Sequence, residues 1–274
     1  MKAIKAAMWM PVLLAGLLMT SPAFGYSYYA WYAKPRTTWS DADKTPAIDD
    51  DDNMCWAAAA ANILAWGGWS TPTYRTADDI FSKIVTHWPN DLGLSNEAWG
   101  WWLNGLHSQK TDVPGGGNYW PQRKIVDYYT ECANRVNAMK SIDWCLHNKY
   151  GVVANLENDS SKLVHFMTVW GYDYALTLRG EVIYQDVIVS DSNDNADRLL
   201  ILPLAWNQVK LQWDVTGGIY RGYRLNGMQG LRESGLQLTG GGPEPTPLPA
   251  ALPLLASGIA GLGAYGRKRM IKRG

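Results

Sequence analysis

The sequence of 274 residues predicts an α+β fold, in which a helical N-terminal half is followed by an antiparallel sheet. An alanine-rich segment with start and stop signals for a helix lies early in the chain. After Tyr150, short runs of β-branched and aromatic residues alternate with glycine and polar turn residues, as in neighbouring strands of a sheet. Helices that precede strands, rather than alternate with them, are the pattern of the α+β class.

The clearest helix of the predicted helical half starts near Cys55. An acidic run occupies 49–52, five alanines occupy 57–61, and Gly67 and Gly68 follow. Acidic and amide side chains cap helix N-termini and glycine ends helices, so the segment between these signals is predicted to be helical. Further helices are predicted over 77–88 and 96–106, and most of 122–149 is predicted to be helical.

The predicted sheet is marked most clearly by a hairpin. Strands at 172–178 and 181–189 flank Arg179 and Gly180, and glycine is a residue that supplies turn conformations. An extended segment is predicted to precede the first helix, over 26–46. Further strands are predicted over 151–156, 164–170, 198–204, 212–215 and 219–225.

The net charge of zero hides a separation of charge along the chain. Seven of the 25 basic residues lie in 1–25 and 267–274, and neither segment contains an acid. The remaining body therefore carries 18 basic and 25 acidic residues, a net charge of −7. An acidic body without a basic stripe argues against a nucleic-acid partner. A hydrophobic fraction of 47% excludes a wholly disordered chain.

The first 25 residues have the three parts of a secretory signal. Lys2 and Lys5 form the positive start, an apolar stretch occupies 6–19, and Ala23 and Gly25 place small residues at a cleavage site. An uncleaved membrane anchor is the alternative, although the apolar stretch is shorter than the roughly 20 residues of a spanning helix. We therefore expect a signal peptidase to cleave after Gly25.

The C-terminal end combines a Gly-rich linker, Pro-Glu-Pro at 243–245, an uncharged stretch of 18 residues at 248–265, and a basic cluster at 267–269. The stretch is just long enough to cross a bilayer, and the basic cluster keeps that end in the cytoplasm. This order closely resembles the PEP-CTERM sorting signal of Gram-negative bacteria. The resemblance implies an exosortase-type sorting enzyme, transient anchoring in the inner membrane, and delivery to the cell surface or extracellular matrix. A plain tail anchor is the alternative.

Three parts of the chain are therefore predicted. A signal peptide occupies 1–25, a single domain occupies 26–240, and a linker with the sorting segment occupies 241–274. The chemistry is expected in the acidic middle part, because the two ends are explained by export and sorting.

Cys55 is the candidate nucleophile of the middle part. It lies in the first turn of the predicted helix, where free backbone N–H groups and the helix dipole favour a thiolate. The same N–H groups can stabilise an oxyanion beside the sulfur. A buried structural cysteine is the alternative, and the aspartates at 49–52 oppose a thiolate if their carboxylates face it. Activation therefore requires a basic partner.

His165 at the start of a predicted strand is the candidate partner, because a cysteine nucleophile needs an imidazole and a group that orients it. The strand that follows ends just before Asp191 and Asn193. A helical cysteine, a strand histidine and a final Asp or Asn have the order of papain-like thiol peptidases. This resemblance implies a papain-like fold, with the Cys helix in the helical half and His and Asp or Asn on the sheet.

Four segments in the same order resemble the streptococcal immunoglobulin-degrading cysteine endopeptidase family. They are the active-site segment from Lys44 through Cys55 to Trp66, a Trp-rich helix at 94–105, the histidine strand at 165–173, and a paired-acid turn at 190–193. Together they extend over most of the predicted domain. The substrate specificity of that family is not carried over, because a bacterium with this sorting signal need not meet immunoglobulins.

The resemblance implies a role for each matching residue. Cys55 is implied as the nucleophile, His165 as general base and acid, and Asp191 as the residue that orients the imidazole. Asn193 stands where the family has a second acid, so orientation by Asp191 or by Asn193 stays open. Lys44 is implied to bind the oxyanion with the Cys55 backbone N–H, although it lies one residue further from the cysteine than in the family.

Trp101 is the candidate for contact with substrate. On a helix, neighbouring residues diverge by about 100°, so Trp99 and Trp102 share one face and Trp101 points elsewhere. Trp99 and Trp102 are predicted to lie in the core. Core packing is also the alternative for Trp101.

A metal or another cofactor is not expected. Side chains at alternate positions of 191–197 resemble a calcium loop, but Ala196 replaces the required Gly and Leu202 replaces the required Glu. No cysteine or histidine pair has the spacing of a zinc site. A weak calcium site is the alternative.

The other two cysteines, Cys132 and Cys145, are 13 residues apart in a segment predicted to be helical. In one continuous helix they would lie about 20 Å apart, whereas a disulfide needs Cα atoms within about 7 Å. They can form a disulfide only if the chain turns between them.

The predicted function is an exported, surface-sorted cysteine endopeptidase that cleaves protein or peptide substrates through an acyl-enzyme. The alternative is a catalytically inactive papain-like binding module of the extracellular matrix. A Cys55 sulfur far from the His165 ring would favour this alternative.

Overall fold

The computed structural model describes residues 25–30, 39–45, 51–104, 117–158, 160–193 and 196–235. All of them belong to one compact unit, Met1–Thr239. The predicted signal segment, apart from Gly25, and the predicted sorting segment lie outside the described residues. Within the described ranges, no helix has the length and apolar character needed to cross a membrane.

Four α-helices and eight strands lie within these ranges. The helices are α1 (Cys55–Trp66), α2 (Ala77–His87), α3 (Ser95–Asn104) and α4 (Ala138–His147), and a 3-10 turn occupies Ile125–Asp127. The strands are β1 (Gly25–Tyr29), β2 (Tyr129–Cys132), β3 (Tyr150–Asn158), β4 (Val164–Leu176), β5 (Val182–Ser190), β6 (Leu200–Asn207), β7 (Gln212–Val215) and β8 (Tyr223–Arg232).

Six of the strands form a closed antiparallel barrel in the order β4-β3-β8-β7-β6-β5, with β5 paired back to β4. β1 pairs with β4 and β2 pairs with β8, outside this ring. The 13 residues of β4 reach three neighbours, because β3 and β1 share one edge of the strand and β5 occupies the other.

The predicted papain-like arrangement of a helical half and a separate sheet half is therefore wrong. The sheet closes on itself, and it receives β1 and β2 from the part of the chain that was predicted to be extended or helical. Period-two alternation identifies a strand but not its partner, so the pairing that closes the barrel leaves no local trace in the sequence.

The three predicted helices of the first half are confirmed as α1, α2 and α3. The helix predicted over 122–149 is wrong, because only Ala138–His147 is helical and Tyr129–Cys132 is a strand. Aromatic and β-branched residues such as Tyr129 and Thr130 fit a strand surface. Here they pair with β8, and this tertiary contact outweighs the helical pattern.

Most predicted strands are confirmed, including the hairpin around Arg179 and Gly180 that joins β4 to β5. Two predicted strands merge into the single strand β4, with a register shift next to Gly171. A Cβ at this position would collide with the carbonyl oxygen of Tyr28, so glycine allows β1 to approach β4. β8 starts at Tyr223, four residues later than predicted, and continues to Arg232.

Helix α1 packs directly on the barrel strands β3 and β4, as well as on α2 and α3. Its alanines at 57–61 are buried, and small side chains let the helix lie close to the strands. Asn62 ties the layers together: its carboxamide donates to Thr168 on β4 (3.0 Å) and accepts the backbone N–H of Ala42 (2.8 Å). The middle of α1 is thereby held against β4.

Candidate active site

Cys55 is the first residue of α1, as the sequence predicts. The preceding residue, Met54, makes no side-chain cap, so no N-cap side chain occupies the N–H groups of the first turn. The expected acidic cap is not formed, because Asp51 accepts the backbone N–H of Thr45 instead (2.7 Å). The dipole of α1 therefore acts on Cys55 without a capping carboxylate.

His165 lies on β4 and its side chain is buried against the start of α1. It lines the same cleft as the Cys55 thiol, and both the imidazole and the backbone N–H of the next residue, Phe166, lie close enough to lower the pKa of that thiol. Imidazole Nε2 lies 2.8 Å from Asp191 Oδ1. Because Nε2 is occupied by the carboxylate, Nδ1 is the nitrogen left for the thiol.

Asp191 directly follows β5 and is fully buried. The antiparallel hairpin places Ser190 opposite Thr168, so the end of β5 returns to the part of β4 that carries His165. Asp191 Oδ1 accepts from imidazole Nε2, and a carboxylate can only accept, which fixes the proton on that nitrogen. The first oxygen ligand of the calcium-loop alternative is therefore already used by the protein.

The pKa of the Cys55 thiol lies below its ordinary value. Burial by itself raises the pKa, but the hydrogen bond and charge of His165, the Phe166 N–H and the charge of Lys44 together lower it. The site therefore favours the thiolate, and the aspartates upstream of the helix do not reverse this effect.

The pKa of His165 is raised to about 9. Burial alone would lower it, but the hydrogen bonds with Asp191 and Cys55 and the negative charges of both groups raise it. Burial would raise the pKa of Asp191, yet His165, Tyr220 and the Asn193 N–H lower it. The three shifts agree with one another, because each favours the charged form of its group, as expected for a thiol, an imidazole and a carboxyl group that interact.

Asn193 takes a different position from Asp191. Its backbone N–H donates to Asp191 Oδ1 (3.1 Å), and its carboxamide nitrogen lies 3.4 Å from imidazole Nε2. Two donors cannot share one hydrogen bond, so a protonated Nε2 takes the carboxylate as its acceptor. Of the two candidates, Asp191 makes the shorter contact with His165, and Asn193 supports the carboxylate.

Lys44 lines the same cleft as Cys55. Its Nζ donates to the backbone carbonyl of Asp52 (2.6 Å), and its backbone N–H donates to Ser192 O (3.0 Å). These two contacts connect the segment before α1 with the turn that carries Asp191.

The cleft around Cys55 and His165 has a volume of about 480 Å³. Three exposed apolar side chains, Leu92, Leu163 and Val164, lie on its wall. Trp56 fixes one side, because its indole N–H donates to the carbonyl of Asp91 (2.9 Å). The cleft that contains Cys55 and His165 is therefore open and has an apolar wall.

A larger cavity, of about 600 Å³, lies between Trp39, Arg75 and Asp78. Its described lining contains neither a cysteine nor a histidine. Size alone therefore does not identify the reactive site, and the smaller cleft contains the nucleophile and base.

The prediction that Trp101 contacts substrate is wrong. Trp101 is 0% exposed and is absent from the cleft around Cys55. Its ring stacks on His87, with centroids 4.8 Å apart, and meets the edge of Trp88 at 5.2 Å. Helix α3 is surrounded on all sides, so the face that diverges from Trp99 and Trp102 is also buried.

Tyr220 belongs to the site but was missed in the sequence. Its hydroxyl donates to Asp191 Oδ2, and its ring stacks on His165 with centroids 5.4 Å apart. The region 219–225 was predicted to be a strand, whereas Tyr220 lies in the loop before β8. The glycines at 217, 218 and 222 were the available signal of a loop.

Cys132 and Cys145 do not lie in one helix, because the first is in β2 and the second is in α4. The chain turns between them, and both line a cavity of about 270 Å³. Both are free thiols, as is Cys55. The geometry of the predicted site therefore involves Cys55 alone.

Comparison with known proteins adds an independent result. The Peptidase_C39 like family matches residues 26–220. None of the curated proteins matches the chain. The family match extends over more than half of the sequence and includes Cys55, His165 and Asp191. The chain therefore belongs to the Peptidase_C39 like family, a family of cysteine peptidases.

Proposed function

We propose that this protein is an exported cysteine endopeptidase that hydrolyses peptide bonds through Cys55, His165 and Asp191. The observation that carries the proposal is the placement of the Cys55 thiol beside His165 in an open cleft, with His165 Nε2 held on the Asp191 carboxylate. Membership of a cysteine peptidase family supports the same chemistry. A protein or peptide substrate follows from this family.

In the proposed reaction, the Cys55 thiolate attacks the carbonyl carbon of the scissile peptide bond. The His165 imidazolium then gives its Nδ1 proton to the leaving amine as the C–N bond breaks, which leaves an acyl-enzyme. Neutral His165 next takes a proton from water, whose oxygen attacks the acyl carbon. The carboxylic acid leaves, and the thiolate and imidazolium are restored.

The negative oxygen of each tetrahedral intermediate needs donors beside the sulfur. We assign this role to the backbone N–H of Cys55 at the start of α1, with the charge of Lys44 as a second contribution. The position of Cys55 at an uncapped helix start supports the first assignment. Lys44 supports the second because it lines the cleft, although its Nζ is bonded to Asp52 O.

Export and sorting form a separate part of the proposal, which rests on the sequence of the two ends. Signal peptidase cleaves after Gly25, and an exosortase-type enzyme cuts near the Pro-Glu-Pro at 243–245. The protein then passes from the inner membrane of a Gram-negative bacterium to the cell surface or extracellular matrix. Replacement of 243–245 by three alanines should leave the full chain in the membrane fraction. Normal release of that variant would contradict this part.

The main test uses two readouts on the purified full chain. Iodoacetamide at neutral pH should label Cys55 before Cys132 and Cys145, and a random decapeptide library should be cleaved. Cys55→Ala should abolish cleavage, whereas the matched control Cys145→Ser should retain it. Preferential labelling of another cysteine, or full activity of Cys55→Ala, would refute the proposal.

The alternative of an inactive binding module predicted a Cys55 sulfur far from the imidazole. The proximity of Cys55 and His165, which line one cleft and shift the pKa of each other, does not favour it. If the wild-type protein is labelled at Cys55 but cleaves no library peptide, this result would favour the inactive binding module.

A further inference from the structure

The loop 216–222 between β7 and β8 directs one side chain into the active-site cleft. Tyr220 is 7% exposed, whereas its neighbour Ile219 is 74% exposed. Gly218 and Gly222 bracket the tyrosine with φ values of +69° and +91°, in the left-handed region that favours glycine. A Cβ at either glycine would meet no neighbouring atom, so the backbone conformation accounts for glycine there.

Tyr220 contacts both Asp191 and His165, in different ways. Its hydroxyl donates to Asp191 Oδ2, and its ring is nearly parallel to the His165 imidazole, with an interplanar angle of 11°. The edge of Tyr223 supports the ring, with centroids 5.4 Å apart. One side chain therefore holds both the acid and the base of the proposed site.

We propose that Tyr220 is a positioning residue of the cysteine peptidase. Its hydroxyl fixes the Asp191 carboxylate so that Oδ1 faces imidazole Nε2, and its ring fixes the plane of His165 so that Nδ1 faces Cys55. This inference rests on the proposed function and adds a residue that contacts neither the thiol nor the reacting bond in the described contacts.

The distribution of hydrogen bonds on Asp191 explains why the hydroxyl is needed. Oδ1 accepts from His165 Nε2 and from the Asn193 N–H, whereas Oδ2 accepts from Tyr220. Without the hydroxyl, a fully buried oxygen loses its donor, and rotation about the Cβ–Cγ bond can turn the carboxylate to recover one. The contact with His165 is then lost for part of the time.

A purely electrostatic role for the hydroxyl would act in the opposite direction. The hydrogen bond stabilises the carboxylate, so its removal makes Asp191 more basic and its attraction to the imidazolium stronger. The groups that face this pair are Cys55, Asn193 and Tyr220, with Lys44 facing the thiol. The sign of the change in the Cys55 pKa therefore separates positioning from electrostatics.

The experiment compares Tyr220→Phe, which keeps the ring, with Tyr220→Leu, which removes both contacts. For the library peptide that the wild type cleaves fastest, Tyr220→Phe should lower kcat about tenfold and leave KM within twofold. The acid-side midpoint of Cys55 alkylation by iodoacetamide should rise. Tyr220→Leu should show a larger loss of kcat, and the matched control Tyr174→Phe should behave as wild type.

An unchanged or lowered alkylation midpoint in Tyr220→Phe would overturn the inference, because a structural role alone changes the amount of folded protein and not the titration. If Tyr220→Leu does not fold, Tyr220→Phe alone still tests the positioning role of Tyr220. A raised midpoint in a protein that cleaves no peptide would support positioning and refute the proposed function. Peptide cleavage that Tyr220→Phe leaves unchanged would support the function and refute positioning.

Discussion

Two buried thiols of this protein have opposite acidities. Cys55 at the start of α1 has a pKa below its ordinary value, whereas burial, followed by the proximity of Cys132, raises the pKa of Cys145 to about 12. Burial acts in the same direction on both, because a thiolate is poorly solvated inside a protein. The difference lies in the partners, since Cys55 contacts His165 and Cys145 packs in α4 against the backbone of Gly230.

The comparison shows that the helix position and the exposure of a cysteine do not by themselves define a nucleophile. The exposed fractions of Cys55 and Cys145 are 9% and 1%, so both are counted as core side chains. What distinguishes Cys55 is an imidazole whose own charge is supported by a buried carboxylate. Four predictions test these supports, three by substitution and one by pH.

The largest effect is expected for His165→Ala, which leaves Cys55 in an environment like that of Cys145. Its pKa should rise above the ordinary value, because burial remains and the imidazolium is gone. Alkylation by iodoacetamide at neutral pH should fall about 100-fold, and peptide cleavage about 1000-fold. His147→Ala on α4 is the matched control and should behave as wild type. An unchanged alkylation rate in His165→Ala would contradict the assignment.

Asp191→Asn should lower peptide cleavage about 100-fold. An amide nitrogen at this position would donate to Nε2 and favour the tautomer with the proton on Nδ1, which cannot accept the thiol proton. Asn193→Ala keeps the backbone N–H that supports Asp191, so its loss should stay within about fivefold. Steady-state kinetics with one library peptide measure both. A larger loss in Asn193→Ala would make Asn193 the orienting residue.

The pH dependence of cleavage should fall on the alkaline side at about pH 9. The raised pKa of His165 means that the imidazolium persists through neutral pH and loses its proton as the pH rises through that value. Above it, the leaving amine has no proton donor, and the rate should fall about tenfold per pH unit. A decline centred near the ordinary histidine pKa would show that Asp191 and Cys55 do not support the charge.

The smallest effect is expected for Lys44→Met. Lys44 is the weakest of the contributions that lower the pKa of Cys55, and its Nζ is already bonded to Asp52 O. The acid-side midpoint of alkylation should rise slightly, and cleavage should fall by about fivefold or less. Lys83→Met on α2 is the control. A loss above about 100-fold would instead give Lys44 a main role at the oxyanion.

The proximity of Cys55, His165 and Asp191 could be predicted because local signals determine each placement. Acidic and glycine signals delimit α1, and a hairpin around Gly180 brings the end of β5 back to the part of β4 that carries His165. From the sequence, either Asp191 or Asn193 could orient the His165 imidazole, and only their distances to Nε2 distinguish them.

Other features depend on contacts between distant segments and were not visible. The closure of the barrel requires β5 to meet β4 and β8 to meet β3, and alternation of side chains is the same for any partner. Trp101 is buried because α3 is covered on both faces. The helical period shows that Trp101 lies on a different face from Trp99 and Trp102, but it does not show which faces other parts of the protein cover. Tyr220 reaches His165 from a loop 55 residues away along the chain.

The closed barrel also limits how an extended substrate can be held. Each of the six ring strands has a neighbouring strand on both sides over part of its length. The start of β4 has one on a single side, because its pairing with β5 begins at Thr168 and 164–167 pair with β3 alone. A peptide that binds by adding a strand needs a free sheet edge, and the described sheet offers short ones, such as those of β1, of β2 and of 164–167 in β4. An extended chain at Cys55 therefore has little sheet edge to pair with, and we expect the side chains of the cleft to carry much of its recognition.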